Sequence, residues 1–214
     1  MHIISQTRFS GLIGMIGSTF FLSCVIVLGF IQPGYNHLTN TVSYLAVGKY
    51  GFIQSINLLI LALTNTVLGM GLGKSIHRKY LNRTSAIFIF YTIVLLLVTV
   101  FPTDKSVDQS VFKLQLITFS GFLHFSVVTA CLILSPLLVL LIIQDLRQNS
   151  YWKKLVPYTI GVLISNFLIS CLFYVFLLSN TMIFWKGLMQ KVVIFNGVIW
   201  YFVISLFLYK HCDS

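Results

Sequence analysis

The chain has 214 residues, 57% of them hydrophobic and only 8% charged, with a net charge of +10 at pH 7. A soluble domain carries about 25% charged residues, so too few remain here to coat a water-exposed surface, and a soluble globular fold is excluded. The positive charge does not point to nucleic acid: no basic stripe carries interleaved aromatics, and Lys and Arg lie between apolar runs, where membrane topology places them.

Taken in order, the chain holds six apolar runs near the length of about 20 residues that a bilayer-crossing helix needs. The expected spans are residues 11–31, 52–73, 84–101, 116–143, 155–178 and 191–209. The first is long for a cleavable signal, and no small-x-small cleavage site follows it, so it reads as a retained helix. Ser10, Gly14 and Ser18 recur every four residues along it, a pattern that lets a second helix approach closely.

Gln32 to Tyr50 is a polar, aromatic stretch opening on the turn signal Pro33-Gly34. Within it a short interfacial helix is expected, capped by Asn40, with Leu38, Val42, Leu45 and Ala46 on one side. Span two carries Asn57, Thr64 and Asn65, and an asparagine within a membrane helix should bond to a neighbouring helix. Lys74 to Arg83 is a basic loop; its sequon Asn82-Arg83-Thr84 lies on the side assigned to the cytoplasm and is discounted. Span four contains His124 and Pro136, the natural kink point. A second basic loop follows. Span five carries Asn166, a short connection runs from Ser179 to Gln190, and span six carries Asn196. The ends of spans one and three echo each other, Phe30-Ile31-Gln32-Pro33 against Phe101-Pro102, as an old hairpin duplication would.

Nine Lys/Arg fall on the side of the termini and five on the other. The richer side is expected to be cytoplasmic, which puts both termini inside a cell membrane and Gln32–Tyr50 outside. Cys24, Cys131 and Cys171 sit in apolar runs and Cys212 in the tail, so neither a disulfide framework nor a metal-binding pair is expected.

Reactive groups concentrate on the expected outer side: His37, Ser43, Asp104 and Asp108, with His124 roughly 12 Å into span four if that span begins at Leu116. Ionisable groups at membrane depth are costly and tend to mark function. Each also has a plainer reading: a histidine bonded to a neighbouring helix, a solvated or capping aspartate, a serine bonded to its own backbone. His and Asp can both ligate zinc, but no HExxH, His-x-x-x-His or paired-cysteine spacing is present, and there is no P-loop and no serine-triad pattern. The near absence of charge within the spans argues against an ion-coupled transporter or pore.

At these residues the chain resembles a bacterial and archaeal six-span family filed as domain of unknown function 998. The likeness rests on Pro33-Gly34-Tyr35, Ser43-x-Leu45, Phe101-Pro102-x-Asp104 and Gly121-x-x-His124, in that order. It implies an all-α six-span bundle and a site, not a reaction. A more distant likeness is to membrane hydrolases of the alkaline ceramidase and adiponectin-receptor type, which use Ser, Asp and His residues to hold zinc. This chain lacks their closing His-x-x-x-His pair and seventh span, so zinc would need His37 or Asp108 as well.

Three readings result. The first is a pocket that binds a lipid or small amphiphile, without cofactor, through Ser43, Asp104 and His124. The second is a zinc-dependent lipid hydrolase using the same residues. The third is a structural subunit of a membrane-protein complex, in which the Ser10/Gly14/Ser18 face matters most.

Overall fold

The computed structural model describes residues 2–78, 81–104, 118–178 and 185–211. Among them the backbone forms six long helices: α1 (His2–Ile31), α2 (Gly51–His77), α3 (Arg83–Val100), α4 (Phe119–Arg147), α5 (Val156–Leu178) and α6 (Lys186–Lys210). Two short 3-10 helices, Val42–Val47 and Trp152–Leu155, lie between them, and the described residues contain no strand. All six long helices are long and apolar enough to cross a bilayer. A helix satisfies its own backbone, which a hydrocarbon setting demands.

The helices overrun the apolar runs. α1 begins at His2, α2 continues to His77, and α6 begins at Lys186, so Lys186–Gln190 is helical rather than part of a connection. Leaving hydrocarbon does not stop a helix; a cap does. α2 ends where Arg78 turns left-handed at φ 59° and returns its N–H to the Lys74 carbonyl. α3 starts where the Asn82 side chain accepts from Ser85 N at 3.1 Å. That role and the full burial of Thr84 give the sequon a structural use. α4 starts at Phe119, later than expected, because the Thr118 hydroxyl accepts from Gly121 N at 3.0 Å.

Each helix packs on its neighbours in sequence, and α1 closes the ring against α6. The small residues of α1 make this possible: Ser10 and Ser18 are buried, and a Cβ added at Gly14 would strike Ser205 on α6. Span asparagines tie helices together as expected. Asn65 Nδ2 donates to Phe88 O at 2.8 Å and Thr92 Oγ1 at 2.9 Å, joining α2 to α3. Asn196 Nδ2 donates to Asn166 Oδ1 at 2.8 Å, joining α6 to α5.

Two apolar cores result. One, around Phe21, Leu28, Leu45 and Leu58, lies at the end of the bundle that carries Ser43. The other, around Leu72, Phe88, Leu146, Trp152 and Leu208, lies at the opposite end. There the carboxylate of Asp145, 1% exposed, is held by Arg83, by Thr84 Oγ1 at 2.6 Å and by His77 Nε2 at 3.3 Å. This cluster locks the ends of α2, α3 and α4 together.

Candidate functional site

The site is built from the stretch 32–50, the end of α3 and the starts of α4 and α6. Gln32 Oε1 accepts from Tyr50 N at 3.1 Å, closing the stretch into a loop. Asn36 Oδ1 accepts from Leu38 N, and Asn40 Oδ1 accepts from Asn36 N at 2.7 Å. Asn40 is therefore not the cap of the following helix, as its sequence position suggested. Its side chain is spent one turn back, and Thr41 precedes the 3-10 helix without a side-chain cap bond. Of the apolar side expected, Val42 and Leu45 are buried, while Leu38 is exposed. Leu38 instead contributes its carbonyl, which accepts from Gly187 N at 2.9 Å and Leu188 N at 3.1 Å at the start of α6.

Lys191 completes the attachment. Its ammonium donates to His37 O at 2.9 Å and Asn40 O at 2.6 Å and lies 4.9 Å from the Tyr35 ring centroid. Gln190 Oε1 accepts from Val42 N at 2.8 Å. Tyr35 donates its hydroxyl to Asn40 O and Thr41 O, both at 3.2 Å, and burial pushes its phenol well above the usual tyrosine range. These fixings hold the 3-10 helix, and with it Ser43, over the bundle. Sequence reasoning missed Lys191 and Gln190. The available signal was two polar side chains heading an otherwise apolar last span.

His124 is buried and both its ring nitrogens are engaged. Nδ1 lies 2.8 Å from Phe101 O and Nε2 lies 2.9 Å from Ser43 Oγ. A carbonyl only accepts, so Nδ1 carries the proton. In the neutral ring Nε2 then accepts from the Ser43 hydroxyl. His124 lies about 7.5 Å from the start of α4, counted from Phe119 at ~1.5 Å per residue, shallower than the sequence suggested. Asp104 accepts from Thr118 Oγ1 at 2.5 Å and Thr118 N at 3.3 Å. A Cβ at Gly121 would collide with its carboxylate. The acid thus lies one turn from His124 along the same face of α4, which is why glycine is required at that turn.

The structure brings Ser43, Asp104 and His124 to one place. His37 does not join them. Its ring packs on Gly29, Phe30 and Tyr35, while its main-chain carbonyl accepts from Lys191. Burial and the nearby Lys191 charge hold its imidazole below the usual histidine range. Asp108 lies outside the described residues. No three His, Cys, Asp or Glu side chains converge as a metal site would require among the described residues, and both nitrogens of His124 already have protein partners.

Below the site lies a cavity of about 230 Å³ between α3, α4, α5 and α6. Leu95, Cys131 and Val198 line it, with Pro136 in its wall. Two of its few polar groups pair with each other: Tyr91 Oη donates to Ser135 Oγ at 3.1 Å. Gly121, His124, Cys131 and Ser135 follow one face of α4. The cavity therefore begins about 10 Å beneath His124, seven residues at ~1.5 Å each.

A family model described as protein of unknown function (DUF998) matches residues 15–206. No curated protein and no solved structure matches the chain.

Proposed function

We propose, for a chain that belongs to the DUF998 family of unknown function and is an integral membrane protein of six helices, a site that takes up a lipid or small amphiphile. Its polar head lies against Ser43, Asp104 and His124, and its chain enters the cavity between α3 and α6. The observation that carries this reading is vertical alignment: a polar cluster at one end of the bundle and an apolar cavity of about 230 Å³ beneath it, joined along one face of α4. Small-molecule sites are mostly apolar with a few placed polar groups. The Lys/Arg bias toward the opposite end supports assigning the Ser43 end to the outside.

The test is photo-crosslinking in vesicles of phosphatidylglycerol and phosphatidylethanolamine carrying a diazirine acyl chain. Cross-links are expected at Leu163 and Ile194, which line the cavity. Ile133 and Leu137, 68% and 57% exposed on the lipid-facing side, serve as controls for annular lipid. A Cβ at Gly197 meets only Asn166 Nδ2, at 3.9 Å, so Gly197→Leu fills the cavity without striking backbone and should remove the internal cross-links. Cross-links confined to Ile133 and Leu137 in the wild type overturn the reading.

A further inference from the structure

We infer that Ser43 and His124 form a nucleophile–base pair for acyl transfer, with ester-linked membrane lipids as the substrate class. A serine hydroxyl is a weak nucleophile until an adjacent base takes its proton. The diagnostic geometry is a base within about 2.6–3.2 Å of the nucleophile and itself oriented by a third group. Here Ser43 Oγ lies 2.9 Å from His124 Nε2, and Phe101 O fixes the other nitrogen at 2.8 Å. The main-chain carbonyl enforces the productive tautomer, with the proton on Nδ1 and the lone pair of Nε2 directed at the hydroxyl. The Asp104 carboxylate, against Gly121 one turn away, adds negative charge on the side where an imidazolium would form.

The surroundings suit this chemistry. Ser43 is half-buried, reachable from its end of the bundle, whereas His124 is buried beneath it. Among the described residues, no Lys or Arg stands among the hydrogen-bond partners of either side chain. The cavity under the pair would take an acyl chain, leaving the ester carbonyl at the level of Ser43. The substrate class rests on the lipid-binding reading; the activated serine rests on the hydrogen-bond geometry alone.

The step balances with water as the only co-reactant. Ser43 Oγ bonds to the ester carbonyl carbon while its proton passes to His124 Nε2. The tetrahedral adduct collapses, the bond from that carbon to the alcohol oxygen breaks, and the leaving alcohol takes the proton from Nε2. The acyl group remains on Ser43 as an ester. Water, giving a proton to Nε2, attacks the same carbon; the fatty acid leaves and Ser43 regains its hydrogen.

The test is labelling of the full-length purified protein in lipid nanodiscs by a fluorescent fluorophosphonate, with the modified peptide mapped by mass spectrometry. Wild type is expected to carry the label on Ser43. Ser43→Ala should carry none. His124→Gln, which keeps an amide at the ring position, should label at least about 100-fold more slowly, the usual scale of general-base assistance. Thermal melting of each variant reports whether it is folded, and the wild-type arm needs no variant. Absence of wild-type label on Ser43, or an unchanged rate in folded His124→Gln, overturns the inference. The acyl-chain cross-linking described above separates the two readings. Cross-links without labelling leave lipid binding standing and remove acyl transfer. Labelling without cross-links keeps the activated serine and overturns the lipid ester as its substrate.

Discussion

Lys191 Nζ donates to the carbonyl oxygen of Asn40 at 2.6 Å, across 151 positions of sequence. With the second bond to His37 O, this single ammonium holds the loop that positions Ser43. Replacing it by methionine keeps most of the apolar stem and leaves two carbonyls without their cation. Hydrogen bonds to charged groups contribute about 1.5–3 kcal/mol each, so Lys191→Met should cost about 3 kcal/mol overall. Thermal melting reads the loss. Limited proteolysis should cut between residues 32 and 50 in the variant and spare the wild type; equal cutting would show that the loop is held by other contacts.

His37 predicts a pH dependence. Its imidazole titrates below its ordinary value because it is half-buried beside the Lys191 charge, and its buried Nε2 has no hydrogen-bond partner among the described residues. The unfolded chain therefore binds this proton more readily than the folded one. The contribution is fully present above the ordinary histidine value near 6.5 and is lost as pH falls from there toward the lowered folded value. The melting temperature should decline below about 6.5. His211, lowered by burial at the opposite end, adds a slope of the same sign. The informative quantity is thus the difference between wild type and His37→Phe, which should have the shallower decline.

The Asp145 cluster predicts an asymmetry. Arg83→Met leaves a carboxylate 1% exposed with Thr84 and His77 as its remaining partners among the described residues. Asp145→Asn leaves an arginine whose side chain is 41% exposed and can turn to water. Breaking a buried pair costs about 3–5 kcal/mol, and the solvent access of Arg83 lowers that to about 2–3. Arg83→Met should therefore destabilise more than Asp145→Asn. The reverse order in chemical denaturation would mean that the acid is stabilised chiefly by groups other than the arginine.

Gly11 and Gly161 form a matched pair of tests. A Cβ at Gly11 would lie 2.6 Å from both Ser205 O and Tyr209 N, main-chain atoms of α6 that cannot turn aside. Gly11→Ala should cost about 1–3 kcal/mol by overpacking the α1–α6 crossing. A Cβ at Gly161 meets nothing within 4 Å, and removing a mid-helix glycine gains about 0.5–1 kcal/mol. Melting temperatures should move in opposite directions.

The six helices were legible because an apolar run of bilayer length carries its own signature. Their ends were not, because α1 and α6 continue through residues that no longer need hydrocarbon. The types of residue at the site were legible too: Ser43, Asp104 and His124 stand out in a chain this poor in polar groups. Their meeting was not, since Ser43 and His124 are 81 positions apart. The orientation of His124 was hidden for a physical reason. The group that orients His124 is the carbonyl of Phe101, and a main-chain atom leaves no mark in a sequence. Lys191 was hidden differently, since a lysine heading a membrane span looks like an interfacial anchor until its partners are seen.

The bonds from Gly187 and Leu188 to the Leu38 carbonyl also set an order of events during biosynthesis. Leu38 leaves the ribosome 150 residues before Leu188, an interval of roughly 8–30 s at about 5–20 residues per second. Throughout that interval the loop lacks Gly187, Leu188, Gln190 and Lys191. Ser43 can be brought over His124 early, but it is secured only when the last helix arrives. A nascent chain truncated before α6 would carry both halves of the pair and none of the fixings from α6 that hold them in register.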